Sequence, residues 1–139
     1  MLYLRNRCGE IKFTISLPTT LDKYSPRKCD CNFCISKNIS YISDPVGKLE
    51  IECEASVEIM KQGSNEADFI TCSNCKSVIV ASLQLNHQLI GALNSTLLFD
   101  SFVLQPPINV SPKLLTVKEK IERWQACWLT IKLNGHDGI

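Results

Sequence analysis

The sequence predicts a single, mainly β domain. Three observations carry this: short runs of apolar–polar alternation recur along the chain, turn residues separate them, and no linker, repeat or charge block divides the 139 residues. Residues 1–139 are therefore read as one domain, with 45% apolar residues to fill its core.

Cys8–Ser16 sets Ile11, Phe13 and Ile15 against Lys12, Thr14 and Ser16, the pattern of a strand with one buried face. Pro18–Lys28, with Ser25-Pro26 inside it, reads as a loop, and Ile35–Ile42 as a weaker strand-like run. Pro45-Val46-Gly47 turns the chain into Lys48–Glu54, where Leu49, Ile51 and Cys53 alternate with Lys48, Glu50 and Glu52. Val57–Lys61 follows, then a turn at Gly63-Ser64-Asn65 and a run at Asp68–Thr71. Val78–Leu83, Leu89–Leu93 and Leu97–Leu104 complete the strand set, which Pro106-Pro107 ends. Thr116 and Glu119 have capping-box spacing, and Val117, Ile121, Trp124 and Trp128 recur at helical intervals, so a short C-terminal helix is expected there. Leu133–Ile139 reads as a frayed tail.

With 15 basic and 14 acidic residues the net charge is +1, which leaves no electrostatic footprint for nucleic acid or an anionic membrane. No run approaches the ~20 apolar residues of a membrane helix. The start of the chain lacks the apolar stretch of a secretory signal, so a cytoplasmic protein is expected.

The eight cysteines set the functional question. In a reducing compartment clustered cysteines bind metal; disulfide pairing is the alternative. Cys29-Asp30-Cys31-Asn32-Phe33-Cys34 is a C-x-C-x-x-C cluster, and Cys72-Ser73-Asn74-Cys75 is a C-x-x-C pair. Zinc gathers thiolates into a tetrahedron, and a C-x-x-C turn delivers two sulfurs to one ion. Two arrangements meet these rules. Cys31, Cys34, Cys72 and Cys75 could form one ribbon-like site, although the 37 residues between Cys34 and Cys72 are a long spacing. Alternatively, Cys29, Cys31 and Cys34 hold one zinc ion while Cys72, Cys75 and Cys8 share a second. Cys53 and Cys127 read as core residues, and His87 and His136 as surface ones. Asp30 reads either as a base beside an incoming thiol or as a solvated loop charge.

The order Cys8-Gly9-Glu10-Ile11-Lys12-Phe13, then Cys29-Asp30-Cys31-Asn32-Phe33-Cys34, then Cys72-Ser73-Asn74-Cys75 resembles the glutathione-dependent formaldehyde-activating enzymes. That family includes the centromere-protein-V-like proteins. Gly91–Asp100 and Ile108–Lys118 resemble its C-terminal part more loosely. The resemblance implies a β-tent fold with two zinc roles: Cys29, Cys31 and Cys34 as ligands of a catalytic site open to a thiol, and Cys8, Cys72 and Cys75 as three of four structural ligands. It implies carbon–sulfur lyase chemistry on a thiol–aldehyde adduct such as S-hydroxymethylglutathione, with glutathione as the partner thiol. A non-catalytic binding module with structural zinc only is the alternative. The chain departs from the family pattern at Asn6, where its first cysteine falls, and at Lys76, where a glycine follows the last C-x-x-C. The resemblance also implies an extended segment at Lys113–Lys118, against the helix read from the capping box.

Overall fold

The computed structural model describes residues 2–5, 11–30, 32–37, 39–53, 57–61, 67–85, 87–97, 104–111 and 114–134. The strands are β1 (Leu2–Arg5), β2 (Ile11–Ser16), β3 (Arg27–Cys29), β4 (Tyr41–Ile42), β5 (Lys48–Cys53), β6 (Val57–Lys61), β7 (Asp68–Cys72), β8 (Val78–Leu85), β9 (Gln88–Asn94), β10 (Ile108–Val110) and β11 (Leu129–Asn134). Two α-helices, α1 (Asn32–Lys37) and α2 (Val117–Cys127), and two 3₁₀ turns, Leu21–Lys23 and Ser95–Leu97, complete the described elements. The domain is mainly β, as its alternating sequence predicts. Among the described residues no helix is long and apolar enough to cross a membrane.

The strands join one mixed sheet in the order β1-β2-β5-β11-β9-β4-β3-β10, and β6-β7-β8 branches from β9 through β8. The alternation in β2 and β5 sets their register. Phe13 lies opposite Ile51 and Ile15 opposite Leu49 on the buried face, while Lys12 faces Glu52 on the other. Opposite charges in register add to the pairing of a half-exposed ladder. Ile11, Phe13, Ile15, Leu49 and Ile51 are at most 2% exposed, and each such side chain contributes about 1.5–3 kcal/mol of burial.

Between β4 and β5 the predicted turn forms. Gly47 N–H donates to Asp44 O, and Asp44 Oδ1 accepts from Val46 N–H, the bonds of a turn with Asp at its first position and Pro at its second. Strand β9 is the hub, pairing with β8 on one edge and with β11 and β4 in succession on the other. At Gly91 a Cβ would stand 2.5 Å from Ala81 O and from Ile131 Cδ1, so only glycine lets β8, β9 and β11 approach this closely.

The branch buries both faces of the sheet. Ile70, Val80, Leu93 and Ile42 are successive cross-strand partners and belong to the main core cluster, together with the apolar faces of β2, β5 and β11. One residue along, Phe69, Ala81 and Ala92 are also successive partners, and they belong to a second cluster. A bulge between Ile70 and Thr71 skips Ile79 on β8, so Ile79 and Val80 both reach the main cluster.

Some of the expected elements differ from the fold. Ile35–Ile42 is not one strand: Asn32–Lys37 is helical and only Tyr41–Ile42 pairs. The chain must turn back between β3 and β4, and the helix does this by burying Cys34 while Ile35 stays 59% exposed. Of Leu97–Leu104, residues 98–103 lie outside the described residues, and Leu97 ends a 3₁₀ turn. The extended segment at Lys113–Lys118 gives way to α2 from Val117 onward, because Thr116 and Glu119 close the capping box. Thr116 Oγ1 accepts from Glu119 N–H, and Glu119 Oε1 accepts from Thr116 N–H. The loop read at Pro18–Lys28 holds for most of its length, but Arg27 and Lys28 pair within β3. Trp128 lies just beyond α2, stacked on Trp124 with ring centroids 4.7 Å apart, and the tail residues Leu133 and Asn134 end β11.

Candidate metal centre

Two of the three clustered cysteines are described. Cys29 ends β3, whose other edge pairs in parallel with β10, Val110 standing beside Cys29. Asp30 N–H donates to Val110 O, and the Ser111 hydroxyl donates to Asp30 Oδ2. The Ile108–Ser111 stretch thus meets the cysteine cluster, bringing together two parts of the chain 81 residues apart. Asp30 is half-buried and tied to Ser111, which sets aside its reading as a solvated loop charge.

Cys34 lies on α1 and is 2% exposed. Its Sγ shares a hydrogen bond of 3.3 Å with the Tyr41 hydroxyl, and its carbonyl accepts from Ile39 N–H. Cys34 and Tyr41 belong to the second core cluster, and Cys29 packs against that same cluster. Cys31, the middle member of the trio, lies outside the described residues, as does Cys8.

The other pair sits in a tight turn on the main cluster. Cys72 ends β7 fully buried; Cys75 is half-buried against the same core. Cys72 N–H donates to Ser77 O at 3.0 Å, and Lys76 N–H donates to Cys72 O at 2.9 Å, closing the turn at its neck. Cys75 Sγ and Ser77 Oγ share a hydrogen bond of 3.0 Å. Lys76 has φ 63°, the left-handed region that favours glycine. This is the position where the resembled family carries glycine. Here the Lys76 ammonium pairs with exposed Glu58 at 3.0 Å, a surface contact of small value.

Cys29, Cys34, Cys72, Cys75 and Cys127 all carry thiols rather than disulfides. Among the described residues no three His, Cys, Asp or Glu side chains stand close enough to hold an ion, and each predicted trio has one member outside them. Cysteine sulfur is a zinc ligand type, and the described members of each trio would supply two such donors. Cys34 and Cys72 are held in different core clusters.

Tyr41, Ser77 and Ser111 are the polar partners that sequence reasoning missed. Ser77, two residues after Cys75, is the one that local spacing signals; Tyr41 and Ser111 reach their cysteine loop only through the sheet. Cys127, read as core, is half-buried at the end of α2 and lines a cavity; His87 is exposed, as read. Cys53 lies on β5, and His136 outside the described residues.

No protein-family model matches the chain, and no curated protein does. Its fold is similar to the crystal structure of a Rhodobacter sphaeroides protein, with a TM-score of 0.59 and 16% identity over 78% of this chain and 100% of that one. At that identity the likeness concerns the fold alone.

Proposed function

We propose that this is a zinc protein with two separate thiolate sites, one of them serving carbon–sulfur lyase chemistry on a thiol–aldehyde adduct such as S-hydroxymethylglutathione. The observation that carries the proposal is the division of the cysteines between two core clusters, Cys29 and Cys34 on one, Cys72 and Cys75 on the other. This supports the two-site arrangement over a single ribbon-like site that would need Cys34 and Cys72 together. Cys29, Cys31 and Cys34 would hold the functional ion, and Cys72, Cys75 and Cys8 the structural one. Thiols at Cys29, Cys34, Cys72, Cys75 and Cys127 suit a reducing compartment such as the cytoplasm.

A bound zinc ion would supply the positive charge that keeps a substrate thiol ionised at neutral pH. The chain's own residues position the site. Tyr41 fixes the Cys34 sulfur, and Ser111 fixes the Asp30 carboxylate next to Cys29. In the synthetic direction a sulfur–carbon bond forms at the aldehyde carbon, and the proton lost by the thiol ends on the aldehyde oxygen. Cleavage reverses both changes.

The burial of Cys34 favours a second reading, in which the ion is closed off and only stabilises the loops of a binding module. Two measurements separate the readings. Elemental analysis should find two zinc ions in the wild type and one in Cys8→Ser; a single ion insensitive to Cys8→Ser would sink the two-site model. NMR of glutathione with formaldehyde should show faster adduct formation with the zinc-loaded protein. The spontaneous rate, with zinc present, would leave the binding module.

A further inference from the structure

A cavity of about 390 Å³ opens beside the cysteine cluster. That volume lies within the range of small-molecule sites. Its floor is a row across three strands: Tyr41 on β4 faces Arg27 on β3, and Arg27 faces Ile108 on β10. Directly opposed residues share a face of the sheet. Lys23, Asp44 and the end of α2 at Cys127 form other walls.

The charges in this cavity are unequal in what they have left to bind. Asp44 is already engaged: Oδ2 accepts from the Tyr24 hydroxyl at 2.8 Å and Oδ1 from Val46 N–H at 2.9 Å. Burial pushes the Tyr24 phenol above its ordinary value of 10, so it stays a donor to Asp44 at neutral pH. Among the described residues neither Arg27 nor Lys23 makes an ion pair. Arg27 is half-buried on the floor, where its planar fork matches a carboxylate. Tyr41, Pro45 and Ile108 offer apolar surface around it.

We propose that this cavity binds a small carboxylate with a flat apolar body, anchored by Arg27 with Lys23 assisting. The proposal does not depend on metal at the cysteines. It places the bound anion close to them: Arg27 and Cys29 lie two residues apart on the same side of β3, about 7 Å along the strand. Tyr41 forms both the floor of the cavity and the hydrogen bond to Cys34.

Cys127 supplies the reporter, since it lines the cavity and carries a thiol. The intact 139-residue chain is alkylated with iodoacetamide with and without benzoate, and modification of Cys127 is followed by peptide mass mapping. Benzoate at about 10 mM should slow alkylation roughly threefold, as for a dissociation constant of a few millimolar. Benzamide, the neutral isostere, should not. Arg27→Gln should abolish the protection and Arg27→Lys should restore part of it. Equal effects of benzoate and benzamide on the wild type would overturn the proposal without recourse to any variant. Undiminished protection in a folded Arg27→Gln protein would overturn it too. The two cations could instead offset the negative end of α2; Arg27→Gln would then lower thermal stability, and benzoate would not protect the wild type.

Discussion

The segment from Cys29 to Cys34 and the turn from Cys72 to Cys75 both contain C-x-x-C, and the fold treats them in opposite ways. In the first, Cys34 lies within helix α1, buried in the second core cluster beside a tyrosine hydroxyl. In the second, the cysteines bracket a turn off β7 whose neck is closed by backbone bonds and whose next residue, Lys76, is left-handed. The turn is locally determined and held by its own backbone. The helical segment depends on partners from elsewhere: Val110 and Ser111 next to Cys29 and Asp30, and Tyr41 next to Cys34. One short motif therefore makes a self-contained clip in one place and, in the other, a site assembled by the sheet. On the proposed two-site reading, the structural ion would sit at the Cys72–Cys75 clip and the functional one at the sheet-assembled Cys29–Cys34 segment.

The largest expected effect concerns metal content. Cys34→Ser and Cys72→Ser should each remove a different zinc ion, leaving about one of two by elemental analysis. If either substitution emptied the protein of zinc while it remained folded, the two regions would be one site.

Lys76→Gly removes a side chain from a left-handed position and should stabilise by about 1 kcal/mol in urea unfolding. Part of that gain is offset by the lost surface pair with Glu58. Ile35→Gly, at an exposed position of helix α1, should have the opposite sign and cost about 0.5–1 kcal/mol. The same sign at both positions would erase the contrast between clip and helix.

Smaller again is Tyr41→Phe, which takes away a hydrogen bond to sulfur at a buried site. It should cost about 0.5 kcal/mol, while Ser77→Ala beside half-buried Cys75 should cost less. Equal losses would mean that burial does not distinguish the two thiols.

The smallest effect is an acid one on α2, whose C-terminal end adjoins the cavity beside the first region. The hydrogen bonds from Thr116, its backbone N–H foremost, hold the Glu119 carboxyl below its ordinary 4.5. A lowered value in the folded state stabilises above 4.5, and that contribution is lost as pH falls through the folded value. Thermal unfolding should show the wild type losing more stability than Glu119→Gln between about pH 5 and pH 3. Identical pH profiles would mean that the capping box makes no charge-dependent contribution.

Much of the fold was legible because periodicity and capping are local. Ile11, Phe13 and Ile15 announced β2, Leu49 and Ile51 announced β5, and Thr116 with Glu119 announced α2 against the extended alternative. The short strands β3 and β10 were not legible. They are each three residues long, and what makes them strands is their parallel partnership across the sheet. Strand β11 was hidden for a related reason: Trp124 and Trp128 keep helical spacing although the helix stops at Cys127. The cysteine positions were plain in the sequence, but their neighbours Tyr41 and Ser111 were not.

By itself, the sequence determined a mainly β domain, a capped C-terminal helix and two cysteine clusters, because alternation, capping and spacing act over a few residues. Only the tertiary structure decided how those clusters are shared out. Successive residues of a strand face opposite ways, so the branch β6-β7-β8 turns Phe69 to one core and Cys72 to the other, and Cys34 joins Phe69. Which residues line the cavity beside Cys29 was likewise set by cross-strand register, a relation between distant segments that no local pattern carries.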